Sequence, residues 1–71
     1  MNIRECCNKY ASCVIRGPAA VMAYARRDNG HWCEIQDGRL SDVEILPRDF
    51  EQVLESLQHV ARIEFSNHSA V

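Results

Sequence analysis

Two short turn signals in the middle of the chain, Asn29-Gly30 and Asp37-Gly38, limit most strongly what this sequence can fold into. Asn-Gly and Asp-Gly pairs readily adopt the left-handed backbone that tight hairpins require. The stretch between the two pairs is long enough for one short strand. The sequence therefore predicts an antiparallel sheet made of local hairpins, with strands over 31–35 and 40–46.

The register around Asp37-Gly38 decides which side chains share a face of the sheet. A two-residue loop would pair Cys33 with Asp42 and divide the apolar side chains of the two strands between opposite faces. We therefore expect a three-residue loop over 36–38, with Gly38 left-handed in a bulge. This register places Trp32 on a polar outer face and gives the core four side chains: Cys33, Ile35, Val43 and Ile45.

Helical patterns lie on both sides of this sheet segment. Asn2 is a suitable N-cap, with Glu5 three residues later. Apolar residues then recur at helical spacing up to a stop at Gly17-Pro18: Ile3, Cys7, Tyr10 and Val14. A second helix begins at Pro47, and its apolar stripe consists of Phe50, Val53, Leu54, Leu57 and Val60. Alternation over 61–66 predicts a last strand, followed by a frayed tail over 67–71.

Residues 19–27 fit either a strand or a helix. Their four alanines and the preceding Pro18 favour a helix, whereas Asn29-Gly30 favours a hairpin. We predict a strand, because a sheet of two local strands is weak. The fold is then a single α+β domain over 1–71, in the order α-β-β-β-α-β, with an antiparallel sheet and two helices on one face. The alternative, with 18–28 helical, is α-α-β-β-α-β.

Composition and charge indicate a cytoplasmic globular protein. Hydrophobic residues make up 46% and charged residues 25%, and no apolar run reaches the ~18–20 residues of a membrane span. The first residues lack the apolar stretch of a secretory signal, and the cysteine spacing is not that of a secreted disulfide framework, so we expect reduced thiols. Residues 1–27 carry five basic and one acidic side chain, and 28–71 carry three basic and nine acidic ones. These net charges of +4 and −6 favour docking or self-association through opposite patches.

Neither a metal site nor an enzyme is the first expectation. Metal ligands could come from Cys6, Cys7, Cys13, His31 and Cys33, but no C-x-x-C pair is present. We therefore assign no metal and no cofactor, and keep a small zinc-binding protein as an alternative. The sequence has no glycine-rich phosphate loop, and a chain of this size has little room for a substrate cleft, so we expect a protein without enzymatic activity.

Nucleic-acid binding is a second alternative. The predicted α-β-β-β-α order is similar to that of double-stranded-RNA-binding domains, which carry basic residues on their second helix. Here that helix carries Asp49, Glu51 and Glu55 against Arg48, so phosphates would be repelled and we do not assign the chain to that family. A regulator that binds nucleic acid would instead use the basic N-terminal part: Arg4, Lys9, Arg16, Arg26 and Arg27.

The sequence favours a small regulator, adaptor or inhibitor that binds another protein, working as a homodimer or in a hetero-complex. An exposed Trp32 among charged side chains would suit such a contact. Proteins of this size are common among the accessory proteins of phages and mobile elements. The candidate partner-binding residues are Trp32, Arg26, Arg27, Glu34, Asp42 and Glu44.

Overall fold

A computed structural model describes residues 2–67 of the chain. Within this range two helices and five strands follow one another: α1 (Ile3–Lys9), β1 (Ser12–Arg16), β2 (Val21–Arg26), β3 (Trp32–Gln36), β4 (Arg39–Leu40), α2 (Pro47–Leu57) and β5 (Arg62–Ser66). The strands form one antiparallel sheet in the order β4-β3-β2-β1-β5. The predicted α+β class is confirmed, and the predicted elements occur in the predicted order with one additional strand.

The additional strand comes from the second half of the predicted first helix. The Asn2 side chain caps α1 as predicted by accepting a hydrogen bond from Glu5 N (3.1 Å). The helix ends at Lys9, and Ser12–Arg16 become β1, so the predicted extent to Gly17-Pro18 is wrong. Residues 13–15 are a short continuous apolar run, which fits a buried strand as well as a helix, and β1 gains backbone pairing with both β2 and β5 that a helix would forgo.

The ambiguous segment 19–27 forms a strand, as predicted, and the helical alternative over 18–28 is wrong. Gly17 N donates to Ala20 O (2.9 Å) in the connection that precedes it. β2 then pairs with β1 on one side and β3 on the other. This pairing makes β2 the central strand, and its backbone hydrogen bonds on both sides outweigh the helix propensity of its alanines.

The β3–β4 turn is shorter than predicted. Ile35 pairs with Leu40 and Gln36 with Arg39, so the loop consists of Asp37 and Gly38. Their φ angles are 54° and 76°. Positive φ at both positions is the signature of a type I′ turn, whose twist matches that of the strands. The predicted three-residue loop over 36–38 is therefore wrong.

The chain bulges after this hairpin instead of within it. Trp32 and Ile45 exchange two backbone hydrogen bonds (2.8 and 2.7 Å), so residues 42–44 lie opposite a single residue of β3. Ile45 thereby packs, partly buried, against the core on the face that carries Trp32. Val43 is 72% exposed. The predicted strand over 40–46 is reduced to Arg39–Leu40 and this bridge.

The core lies on the Trp32 side of the sheet, which inverts the predicted sidedness. Trp32 is 0% exposed and stacks on Phe50 of α2, with ring centroids 4.5 Å apart. Cys33 and Ile35, predicted for the core, alternate onto the opposite face. The physical reason is size, since burying an indole removes more apolar surface from water than burying a thiol. The prediction that Trp32 is exposed for a partner is therefore wrong.

Both helices pack on this inner face. The cluster contains Ile3 and Cys7 from α1, Phe50 and Leu54 from α2, and Cys13, Ile15, Tyr24 and Trp32 from the sheet. α2 begins at Pro47 as predicted, but Val53 and Val60 of its predicted stripe are 41% and 66% exposed. Ile63 and Phe65 of β5 face the core as predicted. The predicted tail falls, from residue 68 onward, outside the described residues.

The type I′ turn gives a test of the backbone. Gly38→Ala is expected to cost about 1 kcal/mol of unfolding free energy, because an alanine at φ 76° pays for a left-handed backbone. Asp37→Asn is expected to change it by less than about 0.5 kcal/mol, because Asn-Gly is the preferred type I′ pair. Urea denaturation of both variants checks this. Equal losses in the two variants would contradict the assigned turn.

Candidate protein-docking surface

The face of the sheet turned away from the core carries small and apolar side chains on its central strands, and polar or charged ones on β5. We call it the outer face and define it by residues that share it through strand alternation and register: Val14, Val21, Ala23, Ala25, Ile35 and Leu40. None of them belongs to the core cluster. Neither of the helices formed by residues 2–67 packs on this face, because both contribute to the core on the other side.

The central strand forms the floor of the outer face. Ala23 and Ala25 lie on β2, with the larger Val14 beside them on β1 and Ile35 on β3. These four side chains are half-buried, and Val21 at the end of the strand is 60% exposed. An antiparallel sheet with one face in water usually carries polar residues there. The apolar side chains in this position make the outer face a candidate docking surface.

One residue of this face is already covered by the chain itself. Cys33 is 0% exposed, although it is absent from the core cluster. The Arg27 Nε donates a hydrogen bond to its Sγ (3.0 Å). This hydrogen bond, followed by the nearby carboxylates of Glu44 and Asp42, raises the pKa of the Arg27 guanidinium. Arg27 therefore forms a polar end to the apolar floor.

The rim at the β1–β5 side is basic. Arg16 Nε donates to Glu64 Oε1 (2.8 Å), and Arg62 Nε lies 3.5 Å from Glu64 Oε2. The hydrogen bond from Arg16 lowers the pKa of the Glu64 carboxyl. Two guanidinium groups thus surround one carboxylate, which leaves this corner with a net positive charge.

The rim beside β3 and β4 is acidic. Glu44 Oε1 accepts a hydrogen bond from Asn29 Nδ2 (3.0 Å) and lies 2.8 Å from His31 Nδ1. These contacts lower the pKa of the Glu44 carboxyl. Asp42 in the bulge and Asp37 in the turn are both exposed. The two opposite rims of the sheet therefore differ in the sign of their charge.

The structure separates the predicted partner-binding residues into two groups. Arg27, Asp42 and Glu44 come together at the end of the outer face. The other three lie elsewhere: Trp32 is in the core, Arg26 Nη1 donates to Asn8 O (3.0 Å), and Glu34 pairs with Tyr24 on the inner side of the sheet. The predicted set therefore does not form one surface.

The apolar residues of the outer face were not among the predicted candidates. Their signal was the alternation in β2, where Met22 and Tyr24 alternate with the smaller Ala23 and Ala25. In β1, residues 13–15 are all apolar, and assigning 10–16 to a helix concealed which face of a strand Val14 occupies. Placing Trp32 outward then reversed the face for every residue of β3, because side chains alternate with a period of two.

The charge division between the two parts of the chain is partly satisfied inside one molecule. Arg4 Nε lies 3.2 Å from Glu51 Oε1, and Arg16 pairs with Glu64. Both pairs join the basic N-terminal part to the acidic C-terminal part. Part of the opposite charge of the two halves of the sequence is therefore already paired within one molecule.

The candidate metal ligands lie on different sides of the sheet. Cys7 and Cys13 are in the core between α1 and β1, whereas Cys33 is on the outer face beside Arg27. Among residues 2–67 no group of three or more His, Cys, Asp or Glu side chains could hold a metal ion. The same residues include no helix long and apolar enough to cross a membrane.

Burial of the thiols predicts an alkaline loss of stability. All four cysteines are free thiols, and burial is the main reason that the pKa rises from 9.0 to about 11 for Cys7 and about 12 for Cys13. The stability that the buried, protonated thiols contribute is fully present below pH 9. Above pH 9 the thiols of the unfolded chain release protons that the folded chain keeps. We expect the unfolding free energy to fall progressively as pH rises from 9 towards the folded pKa values, as measured by urea denaturation. The Cys7→Ala/Cys13→Ala double variant should show a shallower slope, and an equal slope would contradict the assignment.

Two open depressions on the surface do not resemble a catalytic site. One, of about 410 Å³, is lined by residues of α1 and α2 that include Arg4 and Glu55, and another, of about 710 Å³, lies beside the β3–β4 turn. Neither lining places a cysteine or serine beside a histidine base.

Comparisons with protein-family models, with curated proteins and with solved structures find no match to this chain.

Proposed function

We propose that this protein is a small cytoplasmic regulator, adaptor or inhibitor without enzymatic activity, which binds another protein through the outer face of its sheet. The observation that carries the proposal is the apolar row across neighbouring strands, formed by Val14, Ala23, Ile35 and Leu40 on the side away from both helices. Contiguous apolar surface bordered by charged groups is characteristic of protein-binding sites.

The outer face specifies the chemistry of the partner. To contact Ala23 and Ala25 on the floor of this face, the partner needs an apolar strip that is narrow enough to reach them. The Arg16–Arg62 corner requires a carboxylate, and the Asp37–Asp42 side requires a basic group. Complementary charges at a rim orient the partner and raise the association rate.

Nucleic acid fits this surface less well. Single-stranded nucleic acid is bound by aromatic rings that stack on bases. The rings of Tyr24, Trp32, Phe50 and Phe65 contact one another in the core, and Tyr10 lies against Phe65. The acidic rim would also repel phosphates. The nucleic-acid alternative therefore receives less support than a protein partner.

Site-specific photo-cross-linking tests the proposal in cells of the native host. A photoreactive amino acid replaces the exposed Val21 on the outer face, and in a control it replaces the exposed Gln52 on α2. We expect cross-linked protein adducts, identified by mass spectrometry, from position 21 and none of the same products from position 52. Adducts that are identical at both positions, or that form with nucleic acid, would overturn the proposal.

A further inference from the structure

The partner chemistry required by the outer face is met by the outer face itself. It offers an apolar strip, an acidic rim and a basic corner, which are the three features required of the partner. We propose that a second copy of this chain docks on it, face to face, to form a two-fold symmetric dimer. This inference rests on the proposed function and names the protein that occupies the surface.

Asp37 and the Arg16–Arg62 corner select the direction of the symmetry axis. An axis parallel to the strands and close to β2 lays the β1–β5 side of one copy over the β3–β4 side of the other. Val14 then faces Ile35 of the second copy, and the Arg16–Arg62 corner faces the β3–β4 turn with Asp37. In a two-fold dimer each of these contacts forms twice. Arg39, next to this turn, alternates onto the inner side of the sheet. Arg27 would approach Arg27 of the second copy along this axis, but Glu44 and Asp42 of its own chain lie near its guanidinium.

An axis perpendicular to the strands fits less well. It would place β5 of one copy over β5 of the other, so Glu64 would approach Glu64 of the second copy. Like charges in direct opposition weaken an interface. The two possible axes therefore make different predictions about charge variants.

The size of the face sets the expected strength. The five strands hold 23 residues, and at ~4.8 Å between strands and ~3.4 Å per residue they give a footprint of roughly 400 Å². A stable interface usually buries about 800 Å² per partner. We therefore expect a dimer whose population depends on concentration in the micromolar range or above. Ala23 and Ala25 near the axis leave room for the larger side chains of the opposite sheet to interdigitate.

Sedimentation equilibrium over about 10 μM to 1 mM tests the dimer. The wild type is expected to approach twice its chain mass of 8.1 kDa at high concentration. Ala23→Arg places two like charges near the axis and should weaken association at least about a hundredfold. Gln52→Arg, on the exposed side of α2, is the matched control and should associate like the wild type. Circular dichroism confirms that each variant is folded.

A charge cycle tests the direction of the axis. Asp37→Asn in the wild type removes attraction to Arg16 of the second copy and should weaken the dimer roughly two- to thirtyfold, since the contact occurs twice. Arg16→Asp makes the same contact repulsive, so adding Asp37→Asn to it should strengthen the dimer. This reversal of sign is the expected result. The same effect of Asp37→Asn in both backgrounds would overturn the proposed axis.

The outcomes separate this inference from the proposed function. A wild type that stays at 8.1 kDa at every concentration, or a dimer that Ala23→Arg leaves intact, overturns the inference. Photo-cross-linking from position 21 to a different protein would then leave the proposed function standing. Dimerisation that is lost in Ala23→Arg, together with self-adducts from position 21, supports the inference and shows that the outer face binds protein.

Discussion

Replacing Trp32 with alanine is expected to lower the free energy of unfolding by about 3–5 kcal/mol. The indole is 0% exposed, stacks on Phe50 and meets the edge of Phe65 at a centroid distance of 6.5 Å. Small domains have roughly 0.05–0.15 kcal/mol of stability per residue, so this loss could unfold most of the protein at room temperature. Chemical denaturation followed by circular dichroism measures the change.

Two further variants make this result specific to burial. Val43→Ala, at a side chain that is 72% exposed, should change stability by less than about 0.5 kcal/mol. Trp32→Phe keeps an aromatic ring against Phe50 and removes an indole N–H that has no acceptor among residues 2–67, so it should cost less than alanine. If Trp32→Ala were as stable as Val43→Ala, the assigned sidedness of the sheet would be wrong.

Leu54→Ala is expected to cost about 2–5 kcal/mol, the usual range for emptying a buried leucine. Leu54 is 0% exposed on the inner side of α2. Leu57, one turn later, is half-buried, so its alanine variant should cost less. Val53, which is 41% exposed, provides the neighbouring control, with a loss below about 1 kcal/mol. Thermal melts of the three variants that fall in any other order would contradict the placement of α2.

Local signals predicted the elements that depend on local chemistry. Pro47 marks the start of α2, Asn2 caps α1, and Asp37-Gly38 forms a tight turn. Each depends on backbone preferences of one or two residues, which the sequence displays directly. The strand over 21–26 does not follow from local propensity, because its alanines favour a helix. Its pairing with β1 and β3 on its two sides decides the outcome.

The features that were missed depend on contacts between distant segments. β1 pairs with β5, almost fifty residues later in the chain, and no local pattern of 12–16 contains that information. The two-residue turn does divide the apolar side chains, with Ile45 on the core side and Cys33 and Ile35 on the other, because the core lies on the side of Trp32. Because side chains alternate between the two faces of a strand, assigning Cys33 and Ile35 to the core placed Trp32 wrongly on the surface.

The same error explains how little of the candidate surface was predicted. Polar rim residues such as Arg27, Asp42 and Glu44 stand out by their charge. The apolar floor of Ala23, Ala25 and Val14 becomes visible once the inner face of each strand is known. An alanine does not by itself indicate a covered sheet face, because alanine favours helices and is also common in cores.

The most direct test of the central claim is the mass of the complex that contains this protein in an extract of its native host. Size exclusion with light scattering would compare the wild type with Ala23→Arg and with Gln52→Arg. We predict that the wild type and Gln52→Arg elute in a species heavier than 8.1 kDa and that Ala23→Arg elutes as the folded monomer. An Ala23→Arg variant that remains in the same complex as the wild type would contradict the claim that the outer face binds protein.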